Sequence, residues 1–182
     1  MSGEKSLRQF NVVFHFKVPV ERSFPPRGLD TEGFSARIFH NFAVLRREKV
    51  TFTVFFQSGH VNSSGTKTFD DVGDTVAVAN KLFDTSLAER DITITSSTWS
   101  GNYDHHLLNI PSTKDVLFQR KKDVRVSLRP SRFPGAVVRQ VGRPTIILFR
   151  NGKYVVVGGK STESVKDTVE GIAPNLRCLC CR

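Results

Sequence analysis

Several features that would point to a familiar function are scarce in this 182-residue chain. Its three cysteines, Cys178, Cys180 and Cys181, lie within the last five residues, so the sequence indicates no disulfide framework and favours a reducing compartment. No apolar run approaches the roughly 18 residues that a membrane-spanning helix needs. The first ten residues lack the apolar core of a signal peptide, so no signal peptide is expected.

Catalytic and metal-binding patterns are equally sparse. No nucleophile, base and orienting group form a plausible set, so the sequence does not indicate an enzyme. His105 and His106 beside Asp104 are compatible with metal ligands or with an ordinary loop, and no further ligand stands at suitable spacing. The cysteine tail, residues 178–182, fits lipidation, metal linkage or a disordered end, but it lacks the four ligands of a zinc site and the form of a prenylation box. We therefore expect neither a metal nor a cofactor.

What the chain does have is positive charge and phenylalanine. The net charge is +10, and 15 phenylalanines stand against one tryptophan and two tyrosines. Residues 92–182 hold 15 Lys/Arg against 6 Asp/Glu, and residues 114–143 alone hold nine against two. This excess favours an anionic partner, which is either DNA phosphate or an acidic protein. The alternative is a merely solvated basic helix and loop surface.

Residues 133–160, FPGAVVRQVGRPTIILFRNGKYVVVGGK, are apolar on both sides of a predicted hairpin. Asn151-Gly152 between two alternating apolar runs is a strong hairpin signal. One face of the strands carries Ile146, Leu148, Tyr154 and Val156, and the other carries Ile147, Phe149, Val155 and Val157. An antiparallel sheet with a solvated face alternates apolar and polar residues. These strands therefore need something against each side.

The same order of motifs occurs earlier in the chain. Phe56, Gly59, Gly65 and Lys67 recur 93 residues later as Phe149, Gly152, Gly158 and Lys160, and Phe42 recurs 91 residues later as Phe133. This duplication predicts two pseudo-symmetric repeats, each with about five strands and two helices. Four helices can cover one face of ten strands but not both. The second apolar face is then left for a ligand.

Sequence signals also place the four helices. We predict them over residues 31–39, about 68–82, about 111–122 and about 161–174. Thr68 and Asp71 resemble a capping box. Ser161 is a suitable N-cap for the last helix, and Pro111 suits a first helical turn.

With the duplication in view, the chain resembles the TATA-box-binding protein family over roughly residues 8–176. The resemblance implies an α+β fold in which two repeats, residues 1–90 and 91–177, form a curved ten-stranded antiparallel saddle with four helices on its convex face. It implies a transcription initiation factor that acts as a monomer and recruits other initiation factors to the polymerase. Such a protein binds and bends A·T-rich promoter DNA in the minor groove, and it does so by phenylalanine intercalation.

The resemblance also assigns roles to individual residues. The intercalating phenylalanines fall on Phe42, Phe56, Phe133 and Phe149. The minor-groove contacts fall on Asn11, Val13, Val54, Ser64, Ser96, Ile147, Val155 and Val157. The phosphate contacts fall on Lys67, Arg139, Lys153 and Lys160. The stirrup loop, which docks transcription factor IIB in the family, falls on Arg129, Ser131 and Arg132.

Several positions depart from the family's pattern. Ser96 stands where an asparagine is expected and Val157 where a threonine is expected, while Asn62 makes the first repeat more polar. The sequence preference is therefore expected to be relaxed or shifted away from the usual TATA element. Arg129 and Ser131 replace stirrup glutamates, so partner contacts should differ. A virus-encoded or otherwise highly diverged member with its own partners would explain this pattern.

Two other functions remain open on the sequence alone. One is a protein-interaction module of the same fold that has lost specific DNA binding, which the stirrup charge reversal and Asn62 favour and the four phenylalanines oppose. The other is an accessory domain of a nucleic-acid enzyme such as a glycosylase or ribonuclease, which the lack of a catalytic segment opposes. A transcription factor implies a location in the nucleus, or at a viral transcription site if the chain is virus-encoded.

Overall fold

Stretches with alternating apolar residues form strands, and stretches with a 3.6-residue apolar period form helices. The structure is a computed structural model that describes residues 7–19, 24–103, 108–113, 123–129 and 131–176. Its strands are β1 (Arg8–Lys17), β2 (Ser35–Ile38), β3 (Phe42–Arg47), β4 (Val50–Phe55), β5 (His60–Thr66), β6 (Thr93–Asn102), β7 (Val124–Leu128), β8 (Ala136–Gln140), β9 (Thr145–Leu148) and β10 (Lys153–Val157). The two longer helices are α1 (Val72–Phe83) and α2 (Thr162–Ile172), and short 3₁₀ turns cover Glu89–Asp91 and Ala173–Asn175.

The described residues divide into two compact units. The first unit holds residues 10–96, and the second unit holds residues 97–176 together with residues 7–9. The strand order is β2-β3-β4-β5-β1 in the first unit and β6-β10-β9-β8-β7 in the second. Neighbouring strands within each unit pair antiparallel. The ten antiparallel strands that the duplication predicts are therefore present, with five strands in each unit.

One face of the first-unit sheet is buried together with α1. The alternation in β4 turns Phe52 and Val54 to this side, and both are fully buried. The helix supplies Val76, Ala79 and Leu82, which are buried as their spacing predicts. Burying a side chain the size of Val76 or Leu82 contributes about 1.5–3 kcal/mol, so this apolar packing stabilises α1 against the strands.

The second-unit sheet repeats this arrangement with α2. The side chains predicted to share one face are all buried: Ile146, Leu148, Tyr154 and Val156. Tyr103 connects sheet and helix, because its ring lies 4.5 Å from the ring of Tyr154 and its hydroxyl donates to the Val169 carbonyl at 3.0 Å. Burial, and then the neighbouring Tyr154, raise the pKa of Tyr103, and burial raises the pKa of Tyr154. Both hydroxyls therefore stay neutral and serve the packing.

The predicted Ser161 cap is confirmed, whereas Thr68 and Asp71 form their predicted reciprocal pair in the turn before α1. The Ser161 hydroxyl accepts a hydrogen bond from the Ser164 backbone N–H at 3.2 Å. Ahead of α1, the Thr68 N–H donates to the Asp71 carboxylate at 3.0 Å, and the Asp71 N–H donates to the Thr68 hydroxyl at 3.3 Å. The Ser161 bond satisfies an N–H group at the start of α2 that has no partner inside the helix, and the reciprocal Thr68–Asp71 pair fixes the turn that leads into α1.

The helix predicted over residues 31–39 is wrong. Residues 27–33 form turns, and Ser35–Ile38 is an edge strand paired with β3. Gly33 has a φ of +65°, which interrupts a right-handed helix, and the buried Phe34 anchors the chain where it turns into the strand. In the second unit, residues 110–113 are helical as predicted, and residues 114–122 lie outside the described residues. No helix in the described part of the chain is long and apolar enough to cross a membrane.

Candidate nucleic-acid interface

Each unit has a second sheet face, opposite its helix, which we call the open face. In the second unit, strand register sets one row of side chains across this face: Ser127, Val137, Ile147, Val155 and Ser100. Three of the five side chains in the row are apolar, and the next residue of β10 on this face, Val157, is 37% exposed. The prediction that Ile147, Val155 and Val157 share one face is confirmed, and no described element covers them.

A pair of aromatic rings stands at one end of the open face of the second unit. The Phe133 and Phe149 ring centroids lie 6.0 Å apart at an interplanar angle of 61°, and Phe133 is 38% exposed. Gly135 makes room for the pair, since a Cβ there would lie 2.8 Å from the Phe133 ring and 3.2 Å from the Phe149 ring. The missing side chain of Gly135 therefore lets a ring from two residues upstream reach Phe149.

A groove of about 590 Å³ opens beside Phe149 on the same unit. Arg8 and Lys153 supply two cations to its lining, and Asn102 and Ser100 add polar groups. Lys153 is among the phosphate contacts predicted from the sequence, whereas Arg8 is not. Positive charge next to the half-buried ring of Phe149 suits a site where a phosphate lies near a stacked base.

The open face of the first unit is more polar. The corresponding row of side chains is Arg37, Val44, Thr53, Asn62 and His15. Ser64 lies beside it on β5, and Val13 and Asn11 follow along β1 by alternation. The side-chain oxygen Oδ1 of Asn11 accepts from the Gly65 N–H at 3.0 Å, which leaves the side-chain amide nitrogen to donate to other partners.

The first unit also carries aromatic rings at the end of its open face. Phe42 lies opposite Phe55 in the β3–β4 register, with ring centroids 6.1 Å apart. Phe39 stacks on the outer side of Phe42 at 4.6 Å and is 47% exposed. The predicted pairing of Phe42 with Phe56 is wrong, because Phe56 lies in the hairpin turn and packs against Phe24 at 5.1 Å.

A one-residue difference between the hairpins explains this error. The Gly152 N–H donates to the carbonyl of Phe149, three residues back, whereas the Gly59 N–H donates to the carbonyl of Phe55, four residues back. Phe55 therefore matches Phe149, and a one-residue slip exchanges the faces of a strand. For the same reason the prediction that Val54 contacts a groove is wrong, because Val54 is fully buried on the helix side. The alternation of Thr51, Thr53 and Phe55 in the sequence already indicated the correct face.

The remaining predicted contact, Ser96, lies at the position that matches Asn11. The burial patterns of β1 and β6 are nearly identical, which aligns Asn11 with Ser96 and Val13 with Thr98. The next residue, Ser97, is buried and donates to the Gly159 carbonyl at 2.6 Å. The second repeat therefore has a short hydroxyl at the position where the first repeat has an amide.

The predicted basic and stirrup residues are all exposed: Lys67, Arg139, Lys153, Lys160, Arg129, Ser131 and Arg132. Arg139 and Lys153 lie on the open face by alternation, and Lys67 and Lys160 lie in the loops that follow β5 and β10. In the stirrup, the N–H groups of Arg132 and Phe133 both donate to the Arg129 carbonyl at 2.9 Å. That turn joins the basic loop directly to the Phe133 ring.

Asp104, His105, His106 and the cysteine tail lie outside the described residues. Among the residues that the structure does describe, no group of three or more His, Cys, Asp or Glu side chains is placed to hold a metal ion.

Comparison with known proteins identifies the family. Residues 114–179 match the family model described as transcription factor TFIID (or TATA-binding protein, TBP). The chain is 30% identical over 131 residues to TATA-box-binding protein 2 of Haloferax volcanii, which covers 69% of this chain and 68% of that protein. The chain belongs to the TATA-box-binding protein family.

Other members of the TATA-box-binding protein family match over more of the chain. The Archaeoglobus fulgidus protein is 24% identical over 158 residues, which is 84% of each chain. The structure of Methanococcus jannaschii TBP aligns with a TM-score of 0.69 at 21% identity, over 93% of this chain and 97% of that one. That likeness confirms the predicted ten-stranded TBP fold. As a member of this family, the protein is a transcription factor and not an enzyme, so the enzyme alternative is ruled out.

Proposed function

We propose that this protein binds A·T-rich promoter DNA in the minor groove and bends it by inserting phenylalanine rings between base steps. The observation that supports this most is the recurrence of one arrangement in both units. Phe133 and Phe149 end one open face with rings 6.0 Å apart, and Phe42 and Phe55 end the other with rings 6.1 Å apart. Phe133 is exposed and the other three rings are half-buried, and such rings at the end of an uncovered face suit a wedge. Unstacking a base step for a wedge costs a few kcal/mol.

The apolar row of the second unit supplies a reason for A·T preference. In the minor groove an A·T pair presents only acceptors, whereas a G·C pair adds the amino group of guanine. Against Ile147, Val155 and Val157 that amino group would lose its water without gaining a partner, at a cost of about 1–3 kcal/mol. The Asn11 amide nitrogen can donate to the acceptors of either kind of pair.

The exposed cations supply the affinity that does not depend on sequence. Lys67, Lys160 and Arg139 are exposed and would contact phosphates, and Arg8 and Lys153 in the groove add a further pair of cations. Each neutralised phosphate releases counterions, so binding should weaken steeply with added salt.

The stirrup indicates the kind of partner. Arg129 and Arg132 are exposed beside Phe133, so this loop suits an acidic surface on a transcription factor IIB-like protein or another initiation factor. We propose a monomer that recruits such factors to a polymerase. Location in the nucleus or at a viral transcription site, and a viral origin, stay predictions.

A mobility-shift experiment tests the groove assignment. We expect a TATA-containing duplex to bind at least about tenfold tighter than a G·C-rich duplex, because one unbonded amino group is worth about 1.4 kcal/mol or more. A duplex with each A·T replaced by inosine·cytosine keeps the minor-groove pattern and changes the major groove, so we expect it to bind like the TATA duplex. Equal affinity for all three duplexes, or tight binding only where the major groove is unchanged, would contradict minor-groove reading.

One alternative draws on specific residues. A protein-interaction module is favoured by the polar Asn62 on the open face and by the basic stirrup. Capture of protein partners from nuclear extract, with and without nuclease, distinguishes the two. Partners that stay bound after nuclease treatment, together with no mobility shift on any duplex, would favour the interaction module.

A further inference from the structure

The two open faces differ at matching positions of one row. Across the second unit, Ile147, Val155 and Ser100 lie side by side on three strands. At the matching positions of the first unit lie Thr53, Asn62 and His15. Two adjacent apolar side chains are thus replaced by a hydroxyl and an amide, and a small hydroxyl is replaced by an imidazole.

The polar groups of this row are available for a ligand. Among the described residues, neither Thr53, Asn62 nor His15 makes a side-chain hydrogen bond to another residue. His15 is half-buried and contacts His60 edge to face at 6.1 Å. Asn62 is exposed at the middle of the row. These three side chains together offer several acceptors as well as donors.

Acceptors on this face change which base pairs it can meet. The amino group of guanine is the one donor in the minor groove, and it stands near the middle of the G·C pair. An Asn62 carbonyl oxygen, a Thr53 hydroxyl or a neutral imidazole can accept from it. Val155 and Ile147 at the matching positions of the second unit cannot. The free-energy cost of leaving the guanine amino group without a hydrogen-bond partner is therefore avoided at this row of the first unit.

We propose that the first unit accepts G·C pairs in its half of the site, with Asn62 as the main specificity-determining residue, while the second unit requires A·T pairs. This inference rests on the proposed minor-groove binding. The protein then recognises a composite element with one A·T-rich half and one half of mixed sequence. Since both units share the fold, the chain can turn on the duplex so that the mixed half meets the first unit.

Affinities for four duplexes test this proposal. They carry A·T pairs throughout, G·C pairs in either half, or G·C pairs in both halves. We expect the wild type to bind both single-half duplexes within about threefold of the A·T duplex, and the double G·C duplex at least about tenfold more weakly. Asn62→Val should lose about tenfold on the single-half duplexes and less than threefold on the A·T duplex.

Two matched changes identify the chemical group. Inosine in place of guanine removes only the amino group, so it should restore binding of Asn62→Val to the single-half duplexes. Val155→Asn should gain binding to the double G·C duplex. The proposal is overturned if the wild type binds single-half duplexes as weakly as the double G·C duplex, or if inosine restores nothing. Failure of the underlying function looks different, because the wild type would then bind none of the four.

Discussion

Replacing Phe55 by alanine is expected to weaken binding to an A·T-rich duplex about tenfold or more, while Phe56→Ala changes it by less than about threefold. Phe55 lies opposite Phe42 at the end of the open face, with the two rings 6.1 Å apart. Stacking of a base on an aromatic side chain contributes about 1–3 kcal/mol, and 1.4 kcal/mol is a tenfold change in affinity. Phe56 is instead held in the hairpin turn against Phe24.

The two variants differ in stability as well as in binding, and that difference is a control. Phe56 packs against the buried core of the first unit. Phe56→Ala should therefore lower the melting temperature while it changes DNA affinity by less than about threefold. Affinity is measured by fluorescence anisotropy at a temperature where both variants are folded by circular dichroism. If Phe56→Ala loses DNA binding and Phe55→Ala does not, then Phe56 rather than Phe55 contacts DNA, and the assignment of Phe55 to the open face is contradicted.

This pair also marks the limit of what sequence could predict. The second hairpin was predicted correctly, because Asn151-Gly152 defines its turn and two apolar faces fix its register. In the first hairpin the motif Phe-x-x-Gly fits Phe56 and Gly59, but the turn is one residue longer than in the second hairpin. The motif therefore predicts the wrong face, whereas the alternation of Thr51 and Thr53 indicates the correct one. The motif match does not reveal the extra residue, because that residue reverses the sheet face on which Val54 lies while the motif itself is unchanged.

Two further features depended on tertiary contacts that a local pattern does not contain. The strand at Ser35–Ile38 exists because it pairs with β3, although residues 31–39 have a weak helical pattern. Phe39 joins the rings of Phe42 and Phe55 only because Phe42, three residues later, stacks against it. By contrast, the Ser161 cap and the Thr68–Asp71 pair before α1 are local, and both were predicted from the sequence.

Gly65→Ala is expected to destabilise the fold by roughly 3 kcal/mol or more, which is in the upper range for single substitutions. Gly65 has a φ of +92°, and a Cβ there would lie 1.8 Å from the Lys49 carbonyl oxygen. Backbone atoms on the neighbouring hairpin cannot move away without opening β4 from β5. The substitution also disturbs the Gly65 N–H that holds Asn11, so DNA affinity should fall with stability.

Gly158→Ala is the matched control for this prediction. Gly158 occupies the same place in the second repeat with a φ of +90°, and nothing lies within 4 Å of its Cβ position. Gly158→Ala should therefore destabilise the fold only by the free energy of holding alanine in a left-handed conformation, about 1–2 kcal/mol. Chemical denaturation of both variants measures the difference. Equal losses would show that conformation rather than contact with Lys49 determines the effect.

The central claim is that paired phenylalanines bend DNA, and the distance between the ends of a bound duplex tests it most directly. A short A·T-rich duplex labelled with a donor and an acceptor dye should show a marked rise in energy transfer when the wild type binds. Phe133→Ala combined with Phe149→Ala should bind more weakly, and at saturating concentration it should give a smaller rise. A wild-type complex in which the duplex stays as long as free DNA, or a double variant that bends it fully, would contradict the claim.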